Sequence, residues 1–302
     1  MTFRARTVAS LSAVAVLALA GCASGASDDS DAAALGSESN PVRMGVVGAS
    51  DAYWDVFVDA AADEDIAVEL VDFTEYTQPN PALAEGELDI NQFQHIIYLA
   101  DYNVSAGKDL QPIGATVTYP LGLYSAEYGD VADIPEGETV LVPNDTTNQA
   151  RALLLLQSSG LITLEEGGSP FSTLDDVIED ESAVEVKGLD AALIAPSLPD
   201  AAAAVINNDF LESAGLTSED AIATDDPADP SARPYVNIFA TRADDVDDEV
   251  LNQLVEIYQA NDEVLEGVIQ VSGGTAVVAT TPKDELQASL AEVEEQVRAA
   301  GE

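Results

Sequence analysis

Residues 141–160 read LVPNDTTNQARALLLLQSSG, a strand, a turn and a helix in immediate succession. The apolar run Thr139–Val142 ends at Pro143 and Asn144-Asp145, which marks a strand running into a turn. Thr146 with Gln149 three positions on has the capping-box spacing, which predicts a helix starting at Thr147 and stopping at Gly160. In that register Asn148 and Arg151 lie three apart on one face of the first two turns. A helix N-terminus presents unpaired N–H groups and a partial positive charge. A guanidinium beside it makes a receptor for a small carboxylate. The same stretch also fits a plainer arrangement, an ordinary N-cap with Arg151 in a surface ion pair.

Upstream, Val42–Val47 is an apolar strand and Gly48–Asp51 a turn with helix-start residues. Tyr53, Trp54, Phe57, Val58 and Ala61 then recur at helical spacing, and Ile66–Phe73 is a β-branched strand. This is a βαβ unit, which implies a parallel sheet. The loop Thr74–Asn80 follows the C-terminal end of that strand, where ligands of open α/β sheets sit. Pro81–Glu85 reads as a short helix, Leu88–Asn91 as a short strand and Phe93–Ala106 as a helix. On that helix His95, Tyr98 and Tyr102 share a face beside the apolar one. Leu110–Val117 is a strand, and Thr118–Tyr124 continues it with Pro120 and Gly122 inside an extended run, which suits a crossover between sheets better than a central strand. Pro234–Ala240 is a second such segment. Between the two crossovers lie the Arg151 helix, a helix near Ser172–Ile178, a strand near Ala183–Val186 and a Pro-rich loop, Ala195–Pro199. Asp200–Ile206 is helical in propensity but ends in Val205-Ile206, with a turn at Asn207-Asn208. Val250–Gln259 is an amphipathic helix, Ser272-Gly273-Gly274 breaks the chain, and Leu286, Leu290, Val293 and Val297 mark a final helix. Two crossovers bracketing an α/β unit describe a two-lobed protein with a ligand cleft between the lobes.

Acidic residues number 56 against 10 basic ones, for a formal charge of −46. Nucleic acid and anionic membrane surfaces are poor partners for such a charge, which reads first as solubility in a salty or crowded setting. Arg151 is the sole Lys or Arg between Lys108 and Lys187, so an anionic ligand in this part of the chain has one cation to find. The acidic runs Asp225–Pro230 and Asp244–Glu249 lack EF-hand spacing and read as solvated surface. His95 is the single histidine, which rules out a His-pair metal site or a triad with a spare base. A lone histidine is more often a satisfied structural residue than a ligand contact. With no nucleophile–base pair, metal cluster or phosphate loop in the sequence, an enzyme is not expected, nor is a cofactor or a bound metal.

The first 21 residues carry Arg4 and Arg6 followed by the apolar run Val8–Ala20, too short to span a bilayer and typical of an export signal. The run ends in Leu19-Ala20-Gly21-Cys22, which resembles a bacterial lipobox, whose cysteine receives a diacylglyceryl group. Two or more acyl chains such as palmitate hold a protein on a membrane where one does not. Lipidation also consumes the only cysteine, leaving no disulfide or thiolate chemistry. Residues 22–40 then form the lipidated cysteine and a disordered tether rich in Ser, Ala, Gly and Asp.

Several blocks together resemble the methionine-transporter substrate-binding lipoproteins (NlpA/MetQ-like), partners of ABC importers. They are Val68–Phe73 with Tyr76 and Pro79-Asn80, Phe93-Gln94-His95, Tyr119-Pro120, Val142–Asp145 with Thr147-Asn148, and Arg151–Gln157. Gly160-Leu161-Ile162, Ala204–Asn207 and Pro234–Asn237 complete the set, in order, over about residues 42–275. The resemblance implies a type II periplasmic-binding-protein-like fold, with residues 41–118 and 237–302 as one lobe and 119–236 as the other. It implies that Arg151 and Asn148 hold a ligand carboxylate and that Asn207 and Asn237 bind the amino and carboxylate groups. Tyr76, Phe93, His95, Tyr98 and Tyr119 would surround a thioether, since sulfur against aromatic edges is favourable. The implied protein is anchored by lipid to the extracytoplasmic face of the membrane and delivers methionine to an ABC permease and its ATPase. A receptor for another small amino acid or short peptide, and a surface lipoprotein or adhesin outside transport, are the alternatives. Three features depart from the family pattern: Ile96-Ile97 after His95, the segment Leu193–Pro199, and the length of the last helix.

Overall fold

The computed structural model describes residues 33–301. The export signal, Cys22 and the first part of the tether lie outside the described residues.

The first part of the chain is β1 (Val42–Val47), α1 (Ala52–Asp63), β2 (Val68–Phe73), α2 (Pro79–Ala84), β3 (Ile90–His95), α3 (Ile96–Ala106), β4 (Leu110–Ala115) and β5 (Val117–Thr118). The middle part is β6 (Gly122–Tyr124), β7 (Thr139–Pro143), α4 (Thr146–Ser158), β8 (Glu185–Leu189), α5 (Ala191–Ser197), β9 (Ala203–Ile206) and β10 (Ala223–Thr224). The last part is β11 (Asn237–Arg242), α6 (Glu249–Ala260), α7 (Asp262–Val271), β12 (Val277–Val278) and α8 (Lys283–Ala300). Two five-stranded sheets form, in the orders β2-β1-β3-β11-β4 and β10-β6-β9-β7-β8, and β12 pairs with β5 in a small ribbon. In the first sheet β1 runs parallel to β2 and β3, and β11 lies antiparallel between β3 and β4. In the second, β7 is parallel to β8 and β9, with β6 antiparallel to β9. The chain passes from the first sheet to the second after Thr118 and returns after Thr224.

The first sheet is covered on one side by the aromatic face of α1. Trp54, Phe57, Phe239 and Tyr258 cluster there: Phe239–Tyr258 and Trp54–Phe57 are edge to face, with centroids 5.2 Å and 5.7 Å apart, and Phe57 stacks on Phe239. Helix α6 sits close because Gly114 has no side chain: a Cβ there would lie 2.2 Å from Val255 Cγ1. On the other side Leu286, Leu290 and Val293 of α8 pack with Leu99 and Ala100 of α3 and Leu110 of β4. The expected stripe of the last helix is its buried face.

Several expectations change. The chain is ordered before Pro41: Gly36 accepts from the Ala67 amide and donates to Asn40, and Leu35 packs on the first core. This part of the predicted tether is folded, because one apolar side chain and a positive-φ glycine are enough to turn it back onto β2. The predicted Phe93–Ala106 helix begins only at Ile96. Phe93-Gln94-His95 stay extended because they continue β3, with Gln94 and His95 paired to Ile238 and Asn237 of β11, and that ladder takes up backbone groups a helix would have used. Asp200–Ile206, helical in propensity, contains β9, whose four residues are all buried between β6 and β7; tertiary pairing overrides the alanine preference. Ala195–Pro199 is no loop: Pro196 sits in the last turn of α5. The Ser172–Ile178 segment forms one 3₁₀ turn, Leu174–Asp176. The second crossing lies upstream of its expected place, over residues 225–236, because Asn237–Arg242 is an inner strand of the first sheet.

Candidate ligand-binding site

Between the two sheets lies a small cavity of about 40 Å³. Tyr76, Phe93, His95, Tyr98, Tyr119, Asn148, Arg151, Asn207 and Asn237 all line it. They come from the loop after β2, the end of β3, the start of α3, the first crossing, the first turns of α4, the turn after β9 and the start of β11.

Helix α4 is capped by Asp145, one residue earlier than the capping box predicts. Its Oδ1 accepts from the Asn148 amide and from Asn148 Nδ2, both at 3.0 Å, while Gln149 turns back to the Pro143 carbonyl. Asp145 wins because its carboxylate holds two donors of the same residue and faces the positive end of the helix. Asn148 is thereby fixed, and its Oδ1 accepts from Asn207 Nδ2 at 2.9 Å and meets His95 Nε2 at 3.3 Å.

His95 is the N-cap of α3, with Nδ1 accepting from the Tyr98 amide. The proton of the neutral ring therefore sits on Nε2, facing Asn148. Burial, reinforced by the nearby Arg151 charge, pushes the imidazole down to about 3 against the hydrogen bond to Asn148. A neutral imidazole suits the ring cluster it joins. Tyr76 and Phe93 have centroids 5.9 Å apart, Phe93 and Tyr98 5.8 Å, and His95 and Tyr98 6.1 Å. Tyr98 is edge-on to both of its partners here, as aromatic quadrupoles prefer. Tyr119 stands outside this cluster and contributes its carbonyl to Arg151.

Arg151 is buried, with 7% of its side chain exposed. Nε donates to Asp225 Oδ2 at 2.6 Å, and Nη2 donates to Asp225 Oδ1 at 3.2 Å and to the Tyr119 carbonyl at 2.8 Å. Its guanidinium lies over the Tyr235 ring, 4.4 Å from the centroid, a stacked cation–π contact. Three of the five guanidinium N–H donors are engaged in these bonds. The two on Nη1 have no partner among the described residues.

Asp225 corrects the reading of its acidic run as solvated surface. It also accepts from the Leu121 amide at 2.7 Å, so one carboxylate ties together α4 and both crossings. Neither Asp225 nor Tyr235 carries a local signal of its partner: each is one residue of an ordinary acidic run or a 3₁₀ turn. Asp209 also lines the cavity and accepts from the Tyr76 hydroxyl at 2.7 Å across the two sheets. Gln94 lines the cavity too, and with Asn80 and Asn91 it closes a buried amide network behind the rings.

Two α/β sheets joined by two chain crossings, with a polar and aromatic cavity between them, are the two-lobed architecture of the substrate-binding proteins. The sequence profile of the NlpA lipoprotein family matches residues 42–279, and the chain belongs to that family. It is 38% identical over 283 residues to the D-methionine-binding lipoprotein MetQ of Escherichia coli K12, covering 92% of this chain and 99% of that one. The structure is similar to a nutrient binding protein from Burkholderia cenocepacia bound to methionine, with a TM-score of 0.73 and 36% identity over 79% of this chain and 99% of the other. It is also similar to the substrate binding protein of a methionine transporter from Streptococcus pneumoniae, with a TM-score of 0.73 and 33% identity over 79% and 95% of the two chains.

Proposed function

We propose that the protein captures methionine outside the cytoplasm, as a lipoprotein anchored through Cys22, and hands it to an ABC permease and its ATPase. The observation that carries this reading is the pairing, in one cavity, of a guanidinium and amide cluster with a ring cluster around a neutral imidazole. A carboxylate meets Arg151 Nη1 and the amides of Asn148 and Asn237. An amino group meets Asn207 Oδ1, which is buried without a partner among the described residues. The thioether lies against Tyr76, Phe93, His95 and Tyr98, where a polarizable sulfur gains from aromatic edges. Residues 41–118 with 237–302 act as one lobe and 119–236 as the other, closing about the two crossings.

Calorimetry with a panel of free amino acids, including both enantiomers of methionine, tests the reading. Mass spectrometry of the denatured protein first establishes whether a ligand has co-purified. Methionine is expected to bind, with norleucine weaker for want of sulfur. Binding of another amino acid in preference, or none, rejects the assignment.

A further inference from the structure

The charges around the cavity do not balance. Arg151 already faces a carboxylate, Asp225, at 2.6 Å. His95 is held neutral by its cap geometry. The remaining ionisable carboxyl on the cavity wall is Asp209, in the 3₁₀ turn Asn208–Phe210 that follows β9. It makes no ion pair among the described residues. Its one recorded hydrogen bond comes from the Tyr76 hydroxyl, and the titratable groups that face it are Tyr76, Asp51, Tyr53 and Tyr119. Asp51 is in turn faced by Glu212 and Asp72. None of these is a cation. Two residues earlier Asn207 Oδ1 is buried and lacks a donor, its amide nitrogen being spent on Asn148. The turn after β9 therefore presents two acceptors to the same cavity, one of them an uncompensated carboxylate.

We propose that Asp209 is a specificity-determining residue that selects ligands bearing a primary ammonium group and rejects otherwise similar carboxylates that lack one. This rests on the methionine reading above and adds to it the group that reads the ligand's positive end. A half-buried carboxylate with no cation beside it costs free energy when the cleft closes over it. A zwitterionic ligand supplies the missing cation, and a desamino ligand does not.

The consequence is a pH signature that distinguishes the two kinds of ligand. Burial, against the Tyr76 hydrogen bond and with Asp51 adding to it, raises the Asp209 carboxyl to about 7 in the closed cleft. A ligand without an ammonium leaves it raised, so closing over that ligand takes up a proton near neutral pH. Its affinity then rises as pH falls, by about tenfold from pH 8 to pH 6, if the carboxyl titrates near its ordinary value of about 4 before closure. An ammonium offsets the burial, and methionine shows no such term. Asp51, raised to about 6 mainly by burial, acts on both ligands alike and cancels in their ratio.

The test is the ratio of dissociation constants for desamino-methionine and methionine, by calorimetry at pH 6, 7 and 8, on the wild type and on Asp209→Asn. Asparagine keeps an acceptor for Tyr76. In the wild type the ratio is expected to exceed about 100 at pH 8 and to fall about tenfold by pH 6. In Asp209→Asn it is expected to be at least tenfold smaller at pH 8 and independent of pH. A wild-type ratio that is flat with pH, or a ratio unchanged by Asp209→Asn, overturns the assignment and leaves Asp209 a partner of Tyr76 only. The wild-type measurement decides the matter even if the variant fails to fold. If the wild type binds no methionine at all, the function itself is refuted and this inference with it; tight methionine binding with a flat ratio refutes the inference alone.

Discussion

Replacing Arg151 with Met separates one task of the guanidinium that the structure shows from a second that is proposed. The first is to neutralise Asp225, whose side chain is 25% exposed. Breaking a fully buried pair costs about 3–5 kcal/mol and an exposed one under about 1, so a pair at this depth is worth about 2 kcal/mol of stability. The second task, on the proposed function, is to hold the ligand carboxylate through the two N–H groups of Nη1. Hydrogen bonds to charged groups contribute about 1.5–3 kcal/mol. Asp225 already offsets part of the positive charge, which places this contact near the lower half of that range, at about 2 kcal/mol or thirtyfold in affinity. Methionine amide, which lacks the carboxylate, completes a double-mutant cycle with Arg151→Met and isolates the contact. Chemical denaturation of the same proteins follows the first task. Adding Asp225→Asn to Arg151→Met removes the orphaned carboxylate, and should recover about 1 kcal/mol of stability without recovering affinity. A coupling near zero in a folded Arg151→Met protein would refute the carboxylate role. Recovery of methionine affinity in the double variant would show that Arg151 acts only through Asp225.

Three further outcomes are expected. Leu290→Ala, in the buried face of α8, should cost about 2–5 kcal/mol in denaturant unfolding while leaving methionine affinity unchanged, because α8 packs on α3 and β4 away from the cavity. His95 should stay neutral in the folded protein to below pH 5, with its proton on Nε2, as read from the ring ¹⁵N shifts. Its folded-state value lies below the unfolded one, so the unfolded chain binds the extra proton as pH falls through about 6.5 and His95 then destabilises the fold; His95→Gln should remove about 1–3 kcal/mol of that loss by pH 4.5. Scattering from verified ligand-free protein should show a smaller radius of gyration on adding methionine, since short chain crossings absorb hinge rotation; an unchanged value at saturation would count against closure.

The parts of the fold that were legible in the sequence are those whose local pattern agrees with their final partners. β1, α1 and α8 carry an unbroken periodicity, and nothing in the tertiary structure contradicts it. Phe93-Gln94-His95 and Asp200–Ile206 were misread because local propensity was asked to decide a matter of strand pairing. Phe93 falls at helical spacing with Ile96, Ile97 and Ala100, yet it lies in β3, at the irregularity between the Gln92 and Gln94 pairings with β11. In β9 the alanines sit where small side chains let the second sheet pack, a reason invisible in a run of Ala. The nine cavity residues named from the sequence do converge, but four of the groups that hold or complement them were not found. Asp225, Tyr235, Asp209 and the Tyr119 carbonyl are ordinary in type and distant in sequence. With 56 acidic residues in the chain, no local feature singles out the two that reach the cavity and its cation.

Arg151 shows what that difference means physically. In isolation Leu141–Gly160 fits either an ion-paired arginine or a ligand cation, as though the two excluded each other. The structure has the ion pair, and it is buried rather than exposed: Asp225 takes Nε and one edge of Nη2, Tyr119 takes the rest of Nη2, and Tyr235 covers a face. A bare guanidinium inside a cavity would pay a large desolvation cost whenever the ligand is absent. Pairing most of its donors to fixed acceptors lowers that cost and leaves Nη1 without a partner among the described residues. The acceptors belong to the two crossings, Tyr119 to one and Asp225 to the other, and Asp225 also holds the Leu121 amide. The group proposed to sense the ligand is thus bonded directly to the segments about which the two sheets would move. On the proposed function, the structural ion pair is what makes the arginine usable as a ligand contact.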